Sequence, residues 1–430
     1  MKSKKRNWLK LSLQGGTLLA IVAFILYGIF FGEQRADPEA YCPFGGLQAI
    51  GSYLHNNSLA CSMSMAQIMM GVVLAVGVIL FSKLFCGYLC PLGTIGEYLG
   101  KGGRKLKMNF DLKPGGIADR GLRIVKYGLL FVVFYMSVSS SELFCKNFDP
   151  YYAMATGFKG EITAWMTSIS IVLLFLGSFF IKMFWCKYIC PLGALSNIFK
   201  FTITFVGLLL LFWLLGWAGL PSAWVWALGA ACLIGYLYEM IYLRSKVFPL
   251  LRIVRDAESC NGCGSCTKKC PYHIDLKELK TVRHIDCTLC GDCVSSCPKG
   301  SLQVGGKKSL RWLPGILTIV LFVLALILGN QWELPTIDER WGNTEQVGEM
   351  KTFEMEGLTS IKCYGSSKAF SAKMQKVPGV YGVKTFVKRH AVVISYDPAQ
   401  TNEDKIREVI FIPTIMKFSN PEPQVDSVEV

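Results

Sequence analysis

The chain holds seventeen cysteines, and their grouping sets what chemistry is open to it. Cys260, Cys263, Cys266 and Cys270 form one C-x₂-C-x₂-C-x₃-C-P run closed by Pro271. Cys287, Cys290, Cys293 and Cys297 form a second closed by Pro298. Such short gaps let consecutive backbone amides wrap inorganic sulfides while the thiolates bind iron, and the proline ends the turn so that the fourth thiolate points away. Zinc sites space their ligands more widely, and disulfides are disfavoured in a reducing compartment. The doubled pattern therefore predicts two [4Fe–4S] clusters.

A second constellation is an internal repeat. Phe85-Cys86-Gly87-Tyr88-Leu89-Cys90-Pro91-Leu92-Gly93 matches Trp185-Cys186-Lys187-Tyr188-Ile189-Cys190-Pro191-Leu192-Gly193. Outward from each lies one more cysteine, Cys42 and Cys145, so each half offers an outer thiol, one crossing and an inner C-x₃-C-P. Cysteines four apart on a helix share a side. Two facing pairs would assemble four thiolates, which suits an iron–sulfur cluster or a soft metal such as copper and equally a reducible dithiol. Cys42 and Cys145, with Cys61 nearby, are expected at the oxidising face as a structural disulfide or a redox-active pair. Cys232 and the methionines at 63, 65, 69 and 70 read as packing residues.

These thiols must be positioned by membrane helices. With 52% hydrophobic and 17% charged residues, the chain lacks the polar shell of a large soluble protein. Apolar runs near 12–32, 65–85, 122–143, 162–184, 201–219, 222–243 and 311–329 are each about long enough to cross a bilayer. The first follows a basic start and lacks a small-residue cleavage site, so it reads as an uncleaved anchor. The net charge of +15 sits in alternate loops: Lys2 to Lys10, then Lys101 to Lys126, then Arg244 to Arg255. By the positive-inside rule the N-terminus and the cluster segment are cytoplasmic, and seven crossings leave the C-terminus outside. That distribution describes topology, and no nucleic-acid partner is expected. Glu97 and Glu239, near inner helix ends, are expected to snorkel to the interface, with proton transfer or a quinone contact as the functional alternative.

After the last span, the sequence predicts a strand at Lys351–Glu356, a helix at Ser366–Lys376, a hairpin of Val380–Lys388 with Ala391–Asp397, a helix capped by Thr401, and a last strand at Phe411–Phe418. The order is β-α-β-β-α-β, ferredoxin-like in topology and unrelated to the clusters. The expected fold class is thus an α-helical membrane protein of about seven spans with an internal repeat, an inserted 2[4Fe–4S] module and a C-terminal α+β domain. Its boundaries read 1–248 for the membrane domain with the two repeats, 249–305 for the cluster domain, 306–332 for the last span and 333–430 for the C-terminal domain.

Two exclusions narrow the chemistry. Only His55, His273, His284 and His390 occur, none within a span, which argues against a haem held between membrane helices. Gly102-Gly103 and Gly305-Gly306 lack the strand–turn–helix setting of a nucleotide fingerprint, so electrons must be exchanged with another protein or a small carrier.

Three resemblances follow from these motifs. The eight-cysteine segment resembles bacterial ferredoxins, which implies crossed ligation: Cys260, Cys263, Cys266 and Cys297 for one cluster, and Cys287, Cys290, Cys293 and Cys270 for the other. Joined to the repeated C-x₃-C-P motifs, it resembles the polyferredoxin-like membrane proteins of the NapH, NosR and CcoG (RdxA or FixG) types over about residues 15–310. That implies electron transfer between a cytoplasmic redox partner and quinone, an extracytoplasmic redox protein or metal ions. The alternatives are a copper or other metal-ion reductase serving metal delivery or oxidase assembly, and a non-enzymatic redox sensor or assembly component. Lastly, Glu356-Gly357-Leu358-Thr359-Ser360-Ile361-Lys362-Cys363 resembles the metal loop of a heavy-metal-associated domain. Ser360 replaces the first cysteine of the usual pair, leaving Cys363 as a lone thiolate.

Overall fold

A computed structural model describes residues 6–31, 42–56, 65–110, 112, 115–140, 144–158, 162–217, 224–242, 250–277, 279–331, 334–342, 350–361, 364–387 and 389–411. The chain forms two compact units, Met1–Leu334 and Pro335–Val430.

Apolar composition sustained over a bilayer's thickness makes the long helices of the first unit. Trp8–Tyr27, Ile117–Ser139, Trp224–Ile241 and Ser309–Gln331 are long and apolar enough to cross a membrane; Pro191–Lys200 with Thr202–Trp217, bent by 91°, makes a fifth candidate. Met65–Phe81 and Ala164–Phe180 are apolar but shorter, the latter interrupted by a π turn at Leu173–Gly177. Large apolar side chains such as Leu19, Phe24, Ile169, Trp213 and Val320 point outward from these helices, as lipid contact requires and as a water-facing surface would not. Each of the seven expected spans thus overlaps one helix, and four or five of them meet the length for crossing.

The repeat takes a form that the spacing did not predict. Cys86 sits on a short helix, Leu84–Tyr88, whereas Cys90 is the N-cap of a different helix, Pro91–Lys105. In the second half Cys186 lies in a π turn, Trp185–Ile189, and Cys190 caps Pro191–Lys200. Proline is the reason, because it cannot continue a helix but is preorganised to start one at its first position. The expected i,i+4 pair on one helix is therefore a helix end followed by a helix start.

The segment expected as a separate cluster domain is packed into the first unit. Strand β1 (Ile253–Arg255) pairs antiparallel with β2 (Leu302–Val304), with Ile253 opposite Val304. Short helices Ser265–Lys269 and Asp292–Ser296 each start after a left-handed glycine, Gly264 and Gly291. Ile253, Tyr272, Ile274, Leu276, Val282 and Leu289 share one apolar core with Leu84, Tyr88, Leu89 and Met183 of the repeats. Burial of that seam, at roughly 25 cal/mol per Å² of apolar surface, ties the two parts together.

In the second unit a four-stranded sheet has the order β3-β5-β6-β4. Its strands are β3 (Ile337–Arg340), β4 (Lys351–Met355), β5 (Val380–Phe386) and β6 (Ala391–Tyr396). All its pairings are antiparallel. Helices Tyr364–Met374 and Glu403–Phe411 bury Phe370, Met374 and Ile406 against Phe353, Val383, Val392 and Ile394. Strand β3 was not foreseen; its Ile337-Asp338-Glu339-Arg340 carries a single large apolar residue. The expected last strand beyond Phe411, and Cys363, lie outside the described residues.

Candidate iron–sulfur sites

Four thiols of the cluster segment converge from two places in the sequence. Cys260, Cys263, Cys266 and Cys297 line one cavity of about 390 Å³ with Gly262, Gly264, Pro298 and Leu302. Glycine is required here: Gly262 and Gly264 stand at φ +66° and +67°, a conformation open to glycine at little cost. Those turns aim amides at sulfur. The Gly262 N–H hydrogen-bonds Cys260 and draws its thiol down from the ordinary value. The set joins three cysteines of the first run to the fourth of the second, as the crossed pattern implies.

The other four thiols lie deeper. Cys287, Cys290 and Cys270 are near enough to Cys293 that their charges act on it, although burial is the main cause of its raised thiol pKa. Burial likewise pushes Cys270 up to about 11, against the pull of amides from Ile274 and Tyr272. Metal binding displaces such protons, because thiolate is the ligand form. Both cradles fit a cubane, which supplies one-electron transfer when bound. Cysteine donors, positive-φ turns and inward amides are what the residues themselves contribute.

The third site overturns one expectation. Cys42 and Cys145 were expected at the far face, a crossing away from the inner pairs. Instead Cys42, Cys86, Cys90, Cys145, Cys186 and Cys190 all line a single cavity of about 840 Å³. Cys42 reaches it just before helix Pro43–Asn56, and Cys145 from the turn Phe144–Asn147. No disulfide joins Cys42 to Cys145. Lys83, Asp149 and Tyr272 also reach the wall. The Cys42 Sγ stands 3.9 Å from the Asp149 carboxylate; burial pushes Asp149 up to about 6 and Cys42 up to about 12.

The Pro-Leu-Gly tails of the repeat now have a reason. A Cβ added at Gly93 would stand 2.9 Å from the Cys86 carbonyl oxygen, and one at Gly193 the same distance from that of Cys186. Glycine therefore lets each helix begin against the preceding cysteine turn, and the Gly93 N–H reaches Cys90 Sγ at 3.5 Å. The helices Pro91–Lys105 and Pro191–Lys200 both start at this cavity, so two positive helix ends face it. With the buried Lys83, whose Nζ donates to the Gly193 carbonyl at 3.3 Å, they favour an anionic occupant. Among the described residues no three His, Cys, Asp or Glu side chains are gathered as a single metal ion would need.

Buried charges hold the second run against the helices. Arg123 Nη2 donates to Asp286 at 2.9 Å and Nε to Asp119 at 3.2 Å, while Nη1 meets Glu239. Lys126, Tyr127 and Asn197 complete the shell of Glu239 at 2.8, 2.6 and 2.8 Å. Lys200 donates to the carbonyls of Ile285 and Cys287, Ser82 to Cys287, Tyr88 to Leu289 and Asn7 to Cys290. Lys10 bridges Glu97 and Asp292, both at 2.7 Å. Arg123 and Lys126, counted in the sequence as loop charge, are thus fully buried, and Glu97 and Glu239 do not snorkel. Position near the ends of apolar runs hid this; ionisable residues inside spans were the available signal. Cys232 is a packing residue as expected, buried with Tyr127, Leu130 and Ala231.

Comparison with known proteins agrees with this geometry. A 4Fe-4S binding domain family matches residues 63–109 and 163–203, the two halves that hold the C-x₃-C-P pairs. A 4Fe-4S dicluster domain family matches 252–298. YccM of Escherichia coli is 30% identical over 257 residues, covering 58% of this chain and 58% of that protein. The regulatory protein NosR of Stutzerimonas stutzeri is 34% identical over 127 residues, 29% of this chain and 17% of NosR. The ferredoxin-type protein NapH of Haemophilus influenzae is 31% identical over 119 residues, 27% of this chain and 38% of NapH. The chain thus spans less than two thirds of the length of each. No solved structure matches. The chain is thus similar to polyferredoxin-like 4Fe–4S membrane proteins across its two C-x₃-C-P halves and its eight-cysteine segment, a similarity that supports iron–sulfur electron transfer.

Proposed function

We propose that the protein carries electrons through three [4Fe–4S] centres, two in the ferredoxin-type module and one in the six-cysteine cavity. Convergence of both C-x₃-C-P pairs on one cavity is the observation that carries this reading. Cys86, Cys90, Cys186 and Cys190 are its ligands, with Cys42 and Cys145 on the outer side towards the acceptor. The cluster of Cys260, Cys263, Cys266 and Cys297 is the entry point for a cytoplasmic redox protein, because Cys263 is exposed. Cys287, Cys290, Cys293 and Cys270 would hold the second cluster, which would supply one-electron transfer between the first and the cavity.

In this reading the protein lies in the bacterial inner membrane with all seven apolar helices crossing, the module cytoplasmic and the C-terminal domain extracytoplasmic. The β4–helix–β5–β6–helix order of that domain supports its assignment as a ferredoxin-like, heavy-metal-associated type of fold. Quinone or an extracytoplasmic redox protein takes the electrons. Iron and sulfide counting with EPR tests the centre count. The wild type should hold about twelve irons per chain and a Cys86→Ser/Cys90→Ser double variant about eight. An iron content of about eight in both would defeat the third centre and leave dithiol chemistry.

A further inference from the structure

The chain that leaves helix Pro91–Lys105 is fixed at its backbone and open at its side chains. Lys107 stands at φ +59°, a conformation that a residue other than glycine holds only where its surroundings impose it. The N–H groups of Leu106, Lys107 and Met108 donate to the carbonyls of Gly102, Arg104 and Gly103 at 3.1, 3.1 and 2.9 Å. Further on, the Phe110 N–H donates to the Phe180 carbonyl at 2.8 Å. Asn109 Nδ2 donates to the carbonyls of Phe179 and Phe180, each at 3.2 Å. A Cβ at Gly103 would run into the Phe179 oxygen, so glycine admits the helix end this close. Despite that anchoring, Leu106, Met108 and Phe110 are 63%, 48% and 66% exposed. Lys105 and Lys107 alternate with them, are exposed, and enter no ion pair among the described residues.

The neighbours of this segment set its depth. The apolar stretch Ala164–Phe180 ends on the residue to which the segment is bonded, and the Phe110 and Phe180 rings stand 5.9 Å apart. Helix Ile117–Ser139, long and apolar enough to cross a membrane, begins just beyond Phe110, with Ile117 exposed. One apolar helix ends and another starts at this level, which is where hydrocarbon gives way to headgroups. A water-facing loop gains nothing from three exposed large apolar side chains, and a soluble protein would have to reach them through the headgroup layer. We infer that segment 105–110 is a docking surface for an anionic phospholipid. Leu106, Met108 and Phe110 lie against its acyl chains, and Lys105 and Lys107 meet its phosphate. The pairing of a buried apolar side with flanking cations is how interfacial segments select anionic lipid.

The test is lipid retention by the full-length protein, titrated in detergent with phosphatidylglycerol or phosphatidylcholine and counted by native mass spectrometry. Wild type should retain phosphatidylglycerol in preference to phosphatidylcholine. Lys105→Gln/Lys107→Gln should weaken phosphatidylglycerol retention about thirtyfold and leave phosphatidylcholine unaltered, and the wild-type preference should fade as salt rises. Leu106→Ser/Phe110→Ser, which keeps the charge and removes apolar contact, should weaken both lipids alike. Trypsin gives a second readout, because it cuts after Lys105 and Lys107. Both bonds should be cut in detergent and shielded in nanodiscs of mixed phosphatidylglycerol and phosphatidylcholine. Equal retention of the two lipids by wild type, or a preference that survives the lysine change, overturns the proposal. Cleavage as fast in nanodiscs as in detergent overturns it in favour of a soluble protein on this face.

Discussion

The two ferredoxin-type runs share every cysteine spacing and differ in what lies between the cysteines. Ser259, Asn261 and Gly262 flank the first cysteines of the first run and are exposed; their counterparts Asp286, Thr288 and Leu289 are buried. The buried set is what the membrane helices hold. Asp286 meets Arg123, the Leu289 carbonyl accepts from Tyr88, and Thr288 packs where a Cβ at Gly87 would come within 3.0 Å of its hydroxyl. Identical ligand chemistry has thus been given two environments, one open to a soluble partner and one closed against the bilayer part. The difference distinguishes the two sites without any difference in the ligands.

The largest test of that contrast is Asp286→Asn, which keeps shape and removes one charge from a buried set. Stranding Arg123 and Lys126 with one carboxylate fewer should destabilise the protein by about 3 kcal/mol. The matching change in the first run, Ser259→Asn, touches only the exposed Ser259–Asp256 hydrogen bond and should stay within about 0.5 kcal/mol. Thermal unfolding in detergent, with iron retention as a second readout, compares the two. Equal effects would erase the distinction between the runs.

A pH effect of similar size should separate them. His284 occupies the position that Ala257 holds in the first run. Burial, with the charges of Arg123, Lys187 and Lys200, lowers it from 6.5 to about 4 against the opposing pull of Asp286. Its Nδ1 accepts the Asp286 N–H at 3.2 Å, which needs the neutral ring. The unfolded chain therefore binds the proton first as pH falls. The stability held by neutral His284 is complete above about pH 6.5 and drains as pH drops towards 4, by up to about 3 kcal/mol. His284→Asn, which keeps an acceptor and cannot charge, should flatten the slope of unfolding temperature between pH 7 and 5. An unaltered slope would place the acid sensitivity elsewhere.

How much of this was legible beforehand differs by region. The eight-cysteine runs were readable because ligand spacing is local, and the crossed pairing came with the pattern. Apolar length gave the helices for the same reason. The six-thiol cavity was half visible: the repeat named its residues, but Cys42 and Cys145 were placed a full crossing too far away. Sequence distance along a span does not say that short helices beginning at Pro43 and Pro150 bring the chain back to the inner pairs. The C-x₃-C pair was misread as one helix because the starting role of Pro91 and Pro191 was not weighed against i,i+4 spacing. The clamp of Arg123, Glu239 and Asp286 was missed because its members are distant in sequence and only burial identifies them as partners.

The smallest expected effect on stability bears most directly on the open side of the module. Lys268 and Lys269 stand on the exposed face of the first run's short helix, next to the cysteines proposed as the entry cluster. If a soluble donor docks here, their charge speeds encounter with an acidic partner rather than holding the fold. Lys268→Glu/Lys269→Glu should leave unfolding within about 0.5 kcal/mol of wild type. Reduction by an acidic ferredoxin- or flavodoxin-type donor should slow by about tenfold at low salt, with the gap closing as ionic strength rises. Stopped-flow reduction followed at the cluster absorbance measures both. A rate that ignores the substitution at every salt concentration would move the docking face away from Cys263 and leave the open run without its proposed role.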